Sequence, residues 1–372
     1  MANVTPDPIA HGGNIRWAAK TFGIPDDKLL DFSANINRTP WPRRFEQVLS
    51  TSLCNRQDYP DPEYEALRET VAAQTGTCCS CVSVGNGSIE LLYALFRSRP
   101  RLRMVLLEPT FGEYRRALEM TSGQAIVHRL TASSQWRLDR STVNGLLQDA
   151  DGIIVCTPNN PTGRLLDADS VQWLLSHAER GKLIVFDEAF MDYVEDVGAV
   201  SSSSRSAIIH AVSGENVFVL RSLTKFFGMA GLRLGLGFGG RKLTASVRRQ
   251  QEPWTVNCVA EGLGRVLYSP DPSIEAWRED CRRAMMEERE QLRTSMLQLG
   301  LDVFPSDASF LLVDVRSWGM SAADLQYKLG RRGLLVRDCS SFFGENATYV
   351  RIAVRSSADN SRLIAALKEV CS

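Results

Sequence analysis

The sequence predicts an α/β protein, with a large domain on a mainly parallel sheet and a small α+β domain after it. Three observations carry this. From about Cys81 to Gly239, short β-branched and apolar runs alternate with longer mixed segments, the pattern of strands joined by crossover helices. The stretch DPSIEAWREDCRRAMMEEREQLRTSMLQLG then sets apolar residues at helical spacing with charges between them, which predicts a connecting helix. Past that helix, LDVFPSDASFLLVDV opens a second set of apolar runs. The expected division is a large domain over 51–268 and a small domain over 269–372, the latter completed by the N-terminal segment 1–50. A chain of 372 residues is long enough for two such units.

In chain order the runs of the large domain are CVSV, RMVLLEP, QAIVHRL, GIIVCTP, KLIVFDE, NVFVLRS and GLRLGLGFG. Ligands of such sheets gather where strands end, so the polar residues just past each run are the candidates. Following the first run, VGNGSIELLYALF sets Asn86, Gly87 and Ser88 at a strand-to-helix turn, where backbone amides and the helix dipole favour a phosphate. CTPNNPTG brings Asn160 and Pro161 after another run; it reads either as an ordinary turn or as one that aims a side-chain amide inward. LIVFDEAF ends in Asp187, which reads either as a helix cap or as a carboxylate held against a cationic ligand atom. In RSLTKFFGMAGLRLG, Lys225 is the single ionisable residue between Arg221 and Arg233.

Composition excludes several classes of function. Lys plus Arg equals Asp plus Glu at 43 each, so no excess positive field exists to hold nucleic acid or an anionic membrane. The start, MANVTPDPIAHGGN, lacks the basic and apolar regions of a signal peptide, and no apolar run approaches the roughly 18 residues of a membrane span; the expectation is a soluble cytosolic chain. Nine cysteines are scattered apart from TCCSC at Cys78, Cys79 and Cys81. That cluster reads as reduced thiols near a turn, as a redox pair, or as half of a zinc site whose second pair is missing; no metal is expected. SSSSRS near Ser201 reads as a flexible surface loop.

Taken together the strand-end groups are far more specific than any one of them. Phosphate-binding amides, an Asn, an Asp, and Ser222-x-x-Lys225 followed eight residues later by Arg233 are what pyridoxal 5'-phosphate (PLP) requires. Lys225 would carry the cofactor covalently, since a desolvated lysine among apolar neighbours has a lowered pKa suited to that bond. Asp187 would keep the pyridine nitrogen protonated. Ser222 and Arg233 would hold the phosphate.

The order GNGS, NNPTG, DEAF, SLTK and GLRLG resembles that of the fold-type I, class I/II aminotransferase-like enzymes, over almost the whole chain. The resemblance implies a PLP-binding large domain with a seven-stranded, mostly parallel sheet, a small domain, and a homodimer with active sites at the interface. Matched residue by residue, it implies that Phe111 in EPTFGEY stacks on the PLP ring. Tyr59 in DYPDPEY would reach the phosphate of the neighbouring subunit's cofactor, and Arg351 in YVRIAVR would grip the substrate carboxylate.

Two branches of the family resemble the chain, the histidinol-phosphate aminotransferases and the L-threonine-O-3-phosphate decarboxylases of cobalamin biosynthesis. The strings HGGNIRWAAKTFGIPDDKLLDFSANIN, RRQQEPWTVN and RIAVRSSADNSRLIAAL are similar to the second. So is Phe190, where aminotransferases usually place a tyrosine whose hydroxyl bonds the cofactor. The resemblance further implies that Arg337 in LLVRDCSSF binds a substrate phosphoryl group. It also implies that the N-terminal segment, with His11 and Asn35, folds over the substrate as a lid; His11 reads equally as a hydrogen-bonded N-terminal histidine. The implied substrate is a small phosphorylated amino acid. Arg38 stands where the decarboxylases have a proline after NIN, which leaves open a paralogue acting on another amino acid. A PLP-binding regulatory domain behind a DNA-binding module is the reading from another class; with the enzyme signature beginning at His11, it is not expected.

Overall fold

Each of the seven apolar runs becomes a strand of one sheet. The computed structural model describes residues 12–54, 57–194, 205–343 and 347–371. His11 and the serines at 201–204 lie outside the described residues. Thirteen strands form among those described. β1 (Leu30–Asp31) belongs to the smaller of two compact units. The larger unit holds β2 (Val82–Asn86), β3 (Arg103–Glu108), β4 (Gln124–Arg129), β5 (Gly152–Cys156), β6 (Leu183–Asp187), β7 (Val217–Ser222) and β8 (Leu234–Gly239).

In the larger unit the sheet order is β2-β8-β7-β6-β5-β3-β4. Every pairing is parallel except the two made by β8. β5, β6, β7 and β8 are buried along their whole length, as expected of strands covered on both faces. Helices Ser88–Ser98, Glu113–Met120 and Arg241–Arg248 pack on one face, where Leu92, Phe96, Leu118, Phe218 and Val247 are fully buried. Each such side chain contributes roughly 1.5–3 kcal/mol by leaving water.

The register aligns the chemistry. Cys156 pairs with Asp187, and Asp187 with Leu220, so the ends of β5, β6 and β7 lie side by side about 4.8 Å apart. β2 runs parallel to β7, and β8, running the other way, begins beside the end of β2, with Asn86 opposite Leu234. The candidate residues therefore leave the sheet along one edge.

The smaller unit contains β9 (Asp302–Val303), β10 (Phe310–Asp314), β11 (Leu334–Leu335), β12 (Arg337–Asp338) and β13 (Tyr349–Ala353). β12, β13, β10 and β9 form an antiparallel sheet, while β1 pairs with β11 in parallel. Leu292, Met296, Leu311, Ile352 and Leu363 lie in its core.

Among the described residues, the smaller unit comprises the chain up to Asn35, Pro161–Gly163, and the chain from Ala284 on. The larger takes Ile36–Asn160 and Arg164–Arg283. These limits differ from 50/51 and 268/269 for identifiable reasons. The helix Pro272–Gln298 is a single element, so its pattern carries no mark where the contacts change partner. Residues 37–41 hydrogen-bond to the Lys225 segment and so go with the larger unit.

Candidate active site

In the larger unit, Asp187 ends β6 and is buried. Its Oδ2 accepts from Tyr114 Oη at 2.6 Å and its Oδ1 from the Ala189 amide at 3.0 Å. Burial raises the Asp187 pKa, opposed by the Tyr114 bond, the Ala189 amide and the positive charge of Lys225. The Tyr114 hydroxyl is pushed well above its ordinary value by burial and by Asp187. Phe111 packs edge-on against Tyr114, their ring centroids 5.6 Å apart.

Lys225 follows β7 by three residues and is partly buried, so the expected desolvation is partial. Its turn is held from behind by a segment that sequence reasoning missed. The Asn37 amide donates to Lys225 O at 3.0 Å, Asn37 Nδ2 to Phe226 O at 2.9 Å, and Trp41 Nε1 to Phe227 O at 2.8 Å. Arg38, between these anchors, is exposed. Ser222 is buried and shares a 2.7 Å hydrogen bond with Thr224.

The candidate phosphate turn, Gly87–Ser88, is built by close approach. Gly87 has φ +75°, and a Cβ there would stand 2.5 Å from Arg233 Nη2. A Cβ on Gly235 would meet Ser88 N at 2.1 Å. The Gly87 amide donates to Arg233 O at 3.0 Å, and the Asn86 amide donates to the Glu90 carboxylate. The amides that open the helix at Ser88 have no intrahelical acceptor, which makes this end of the helix favourable for an anion. Arg233 itself has φ +63°, a left-handed backbone that costs a non-glycine residue about 1–2 kcal/mol.

Asn160 is buried four residues past β5. Its neighbour Asn159 fixes the turn, donating from Nδ2 to Pro109 O at 3.0 Å and accepting from Thr110 Oγ1 at 3.0 Å. Phe190 is buried, three residues after Asp187. Beneath the strand ends, Arg221 is fully buried between Glu188 (2.9 Å) and Asp192 (3.2 Å). An ion pair at such depth adds little net stability; this one ties the residue after Asp187 to the residue before Ser222. Tyr59 is exposed and packs on Trp254, centroids 4.8 Å apart.

In the smaller unit, Arg337 and Arg351 are register partners across β12 and β13, and both are buried. Arg351 Nη2 donates to Ser33 O at 2.7 Å. With its amide oxygen turned toward the guanidinium, Asn35 accepts from Nε and Nη1, both at 3.2 Å. Burial lowers the Arg351 pKa to about 10, with Arg337 adding to the effect. Burial lowers the pKa of Arg337 too; its Nη2 donates to Ser341 Oγ at 2.6 Å. Asp31 accepts from both the amide and the hydroxyl of Ser33, at 2.8 and 2.6 Å, holding the loop that carries the Arg351 acceptor. Asp31, Ser33 and Ser341 were not among the sequence candidates.

The larger unit thus fits the parts of PLP. The space kept open at Gly87 and Gly235, with Ser88, Ser222 and Arg233 around it, suits a phosphate; Asp187 suits a protonated pyridine nitrogen; Lys225 suits the aldehyde. Comparisons with known proteins agree. The threonine-phosphate decarboxylase of Salmonella typhimurium is 34% identical over 97% of this chain and 96% of its own length. The histidinol-phosphate aminotransferase of Methanococcus aeolicus is 27% identical over 95% of this chain and 92% of its own. Among solved structures, the histidinol-phosphate aminotransferase of Clostridium acetobutylicum superposes with a TM-score of 0.83 at 25% identity, covering 92% of this chain and 99% of that one. No helix among the described residues is long and apolar enough to cross a membrane. With the model for aminotransferase class I and II matching residues 27–367, the chain belongs to that family, with its fold-type I architecture, and is a PLP-dependent enzyme.

Proposed function

We propose that the chain decarboxylates L-threonine O-3-phosphate to (R)-1-amino-2-propanol O-phosphate, a step of cobalamin biosynthesis. The observation that carries this reading is the pair of buried arginines opposite one another on β12 and β13. Like charges set opposite across a ladder repel, and burial strengthens that repulsion. The cost is offset by a small molecule with two anionic groups, and phosphothreonine has a carboxylate and a phosphate. Arg351, oriented by Ser33 and Asn35, takes the carboxylate. Arg337, oriented by Ser341, takes the phosphate through charge-assisted bonds.

Bound PLP supplies an electron sink for the negative charge left on the α-carbon when its bond to the carboxyl carbon breaks. Lys225 holds the cofactor and returns a proton to the α-carbon from Nζ. Asp187 keeps the pyridine nitrogen protonated, and Tyr114 keeps the Asp187 carboxylate in place. Two features favour loss of carbon dioxide over transamination: Phe190 in place of a hydroxyl-bearing tyrosine, and 34% identity to the Salmonella decarboxylase against 27% to the Methanococcus aminotransferase. A homodimer in which Tyr59 reaches the partner's cofactor phosphate is part of the reading. So are the division into a PLP-binding large domain and a small domain, and the N-terminal lid.

The test is to mix enzyme and phosphothreonine without any keto acid and follow carbon dioxide. Sustained release over many turnovers is expected. A single turnover that resumes only on adding 2-oxoglutarate would assign the chain to transamination, the reading favoured by its superposition on the Clostridium enzyme.

A further inference from the structure

The sequence Thr77-Cys-Cys-Ser-Cys81 is used by none of the chemistry above. Cys78 leads into a single 3-10 turn, Cys79–Cys81, in which the Cys81 amide donates to Cys78 O at 2.8 Å. That bond closes the turn and brings Cys78 and Cys81 together, close enough for each thiol to act on the ionisation of the other. Cys78 is partly exposed and lies 3.3 Å from Ser80 Oγ; the helix Arg241–Arg248 packs against this turn, and the charge of its first residue, Arg241, favours the Cys78 thiolate. Cys81 is buried at the start of β2. Burial raises the Cys79 pKa, with Glu69, Glu65 and Cys78 adding to the effect and Arg68 opposing it. All three are free thiols, and no group of three metal-binding side chains occurs among the described residues.

We propose that Cys78 and Cys81 are a redox-active dithiol whose substrates are small disulfides, with Cys78 the attacking sulfur, Arg241 the group that holds its thiolate, and Cys81 the resolving sulfur. The electrostatics divide the two roles. Burial works against ionising Cys78, but bonds from Cys81, Ser80 and Arg241 overcome it and bring its pKa to about 7. Burial and the neighbouring Cys78 push Cys81 up to about 11. The thiolate is the nucleophile in thiol–disulfide exchange.

In the first step the Cys78 thiolate attacks one sulfur of the disulfide, forming a mixed disulfide and releasing one thiolate, which takes a proton. In the second, Cys81 loses its proton, attacks the Cys78 sulfur and expels the other half as a thiol. Two protein thiols are oxidised to one disulfide while one small disulfide is reduced to two thiols. The site is separate from the cofactor turn, because the five residues of β2 place roughly 17 Å of strand between them.

The test uses the intact, cofactor-loaded protein in glutathione buffers of graded oxidised fraction, quenched with N-ethylmaleimide and read by mass spectrometry of the tryptic peptide 69–97. The expected result is loss of two hydrogens with the new bond between Cys78 and Cys81. In Cys81→Ser, a glutathione adduct accumulates on Cys78. Iodoacetamide labelling of Cys78 against pH should turn over at about 7, and Arg241→Gln should move that midpoint upward. A bond to Cys79, no bond at the most oxidising poise, a midpoint in the ordinary thiol range, or a midpoint indifferent to Arg241→Gln would each overturn the proposal.

Discussion

Gly235→Ala tests whether the Gly87–Ser88 turn holds the cofactor phosphate. Gly235 pairs with Gly85 on β2 and with Ser222 on β7, directly under the Gly87–Ser88 turn. A Cβ there would stand 2.1 Å from Ser88 N, 2.4 Å from Gly87 C and 2.6 Å from Ser88 Cα. All three atoms are backbone, so no side chain can swing aside. Ordinary contact begins at 3.4 Å, and the turn must retreat by about 1 Å. Overpacking of this kind costs roughly 1–3 kcal/mol of stability. Moving the helix amides off a phosphate loses at least one charge-assisted bond, worth roughly 1.5–3 kcal/mol, so the Kd for PLP should rise about 10-fold to 100-fold. Gly237→Ala is the control. Two residues along the same strand, its Cβ would meet Ser83 Oγ at 2.5 Å and the Phe218 ring at 2.7 Å, crowding the sheet away from the turn. Both variants should melt earlier than the parent, and only Gly235→Ala should lose PLP in a titration of the cofactor-free protein followed by absorbance. Equal PLP affinity in the two variants would refute the assignment of this turn to the phosphate.

Two further outcomes follow from the buried charges. Burial raises the Asp187 pKa, so the stability present while its carboxyl is protonated is lost as the pH climbs through the folded-state value. Asp187→Asn should therefore raise the melting temperature of the cofactor-free protein at pH 7, while activity falls by orders of magnitude. The thermal gain should shrink as the pH drops below the ordinary aspartate value of 3.8; a gain independent of pH would show that the charge is not its cause. Arg337→Ala should lower kcat/KM on phosphothreonine by roughly 100-fold or more, since a desolvated phosphate contact is of the strong kind, and Arg337→Lys should recover little without the planar fork. Unchanged kcat/KM in steady-state assays of either variant would remove Arg337 from the phosphate.

What the sequence disclosed and what it withheld divide along a physical line. Strands buried on both faces are apolar along most of their length, so GIIVC, LIVF and VFVL declared β5, β6 and β7 without help from their neighbours. The direction of β8 left no such mark, because a strand covered on both faces has the same composition whichever way it runs. Lys225 and Asp187 stood out as candidates for a related reason: an ionisable group at the end of an apolar run is costly unless it is paired or used. Tyr114 looked like one more aromatic on an amphipathic helix, and its role depends on a bond to a residue 73 positions away. Asn37 sat in a quoted motif and still escaped, since its partner Phe226 lies 189 positions on. Asn35, two residues earlier, orients Arg351 in the smaller unit, whereas Asn37 fixes the backbone of Lys225 in the larger. The boundary between the compact units falls between them. The SANIN stretch is thus composed for two sets of neighbours at once, which local periodicity cannot reveal and which explains why two asparagines so close together do unrelated jobs.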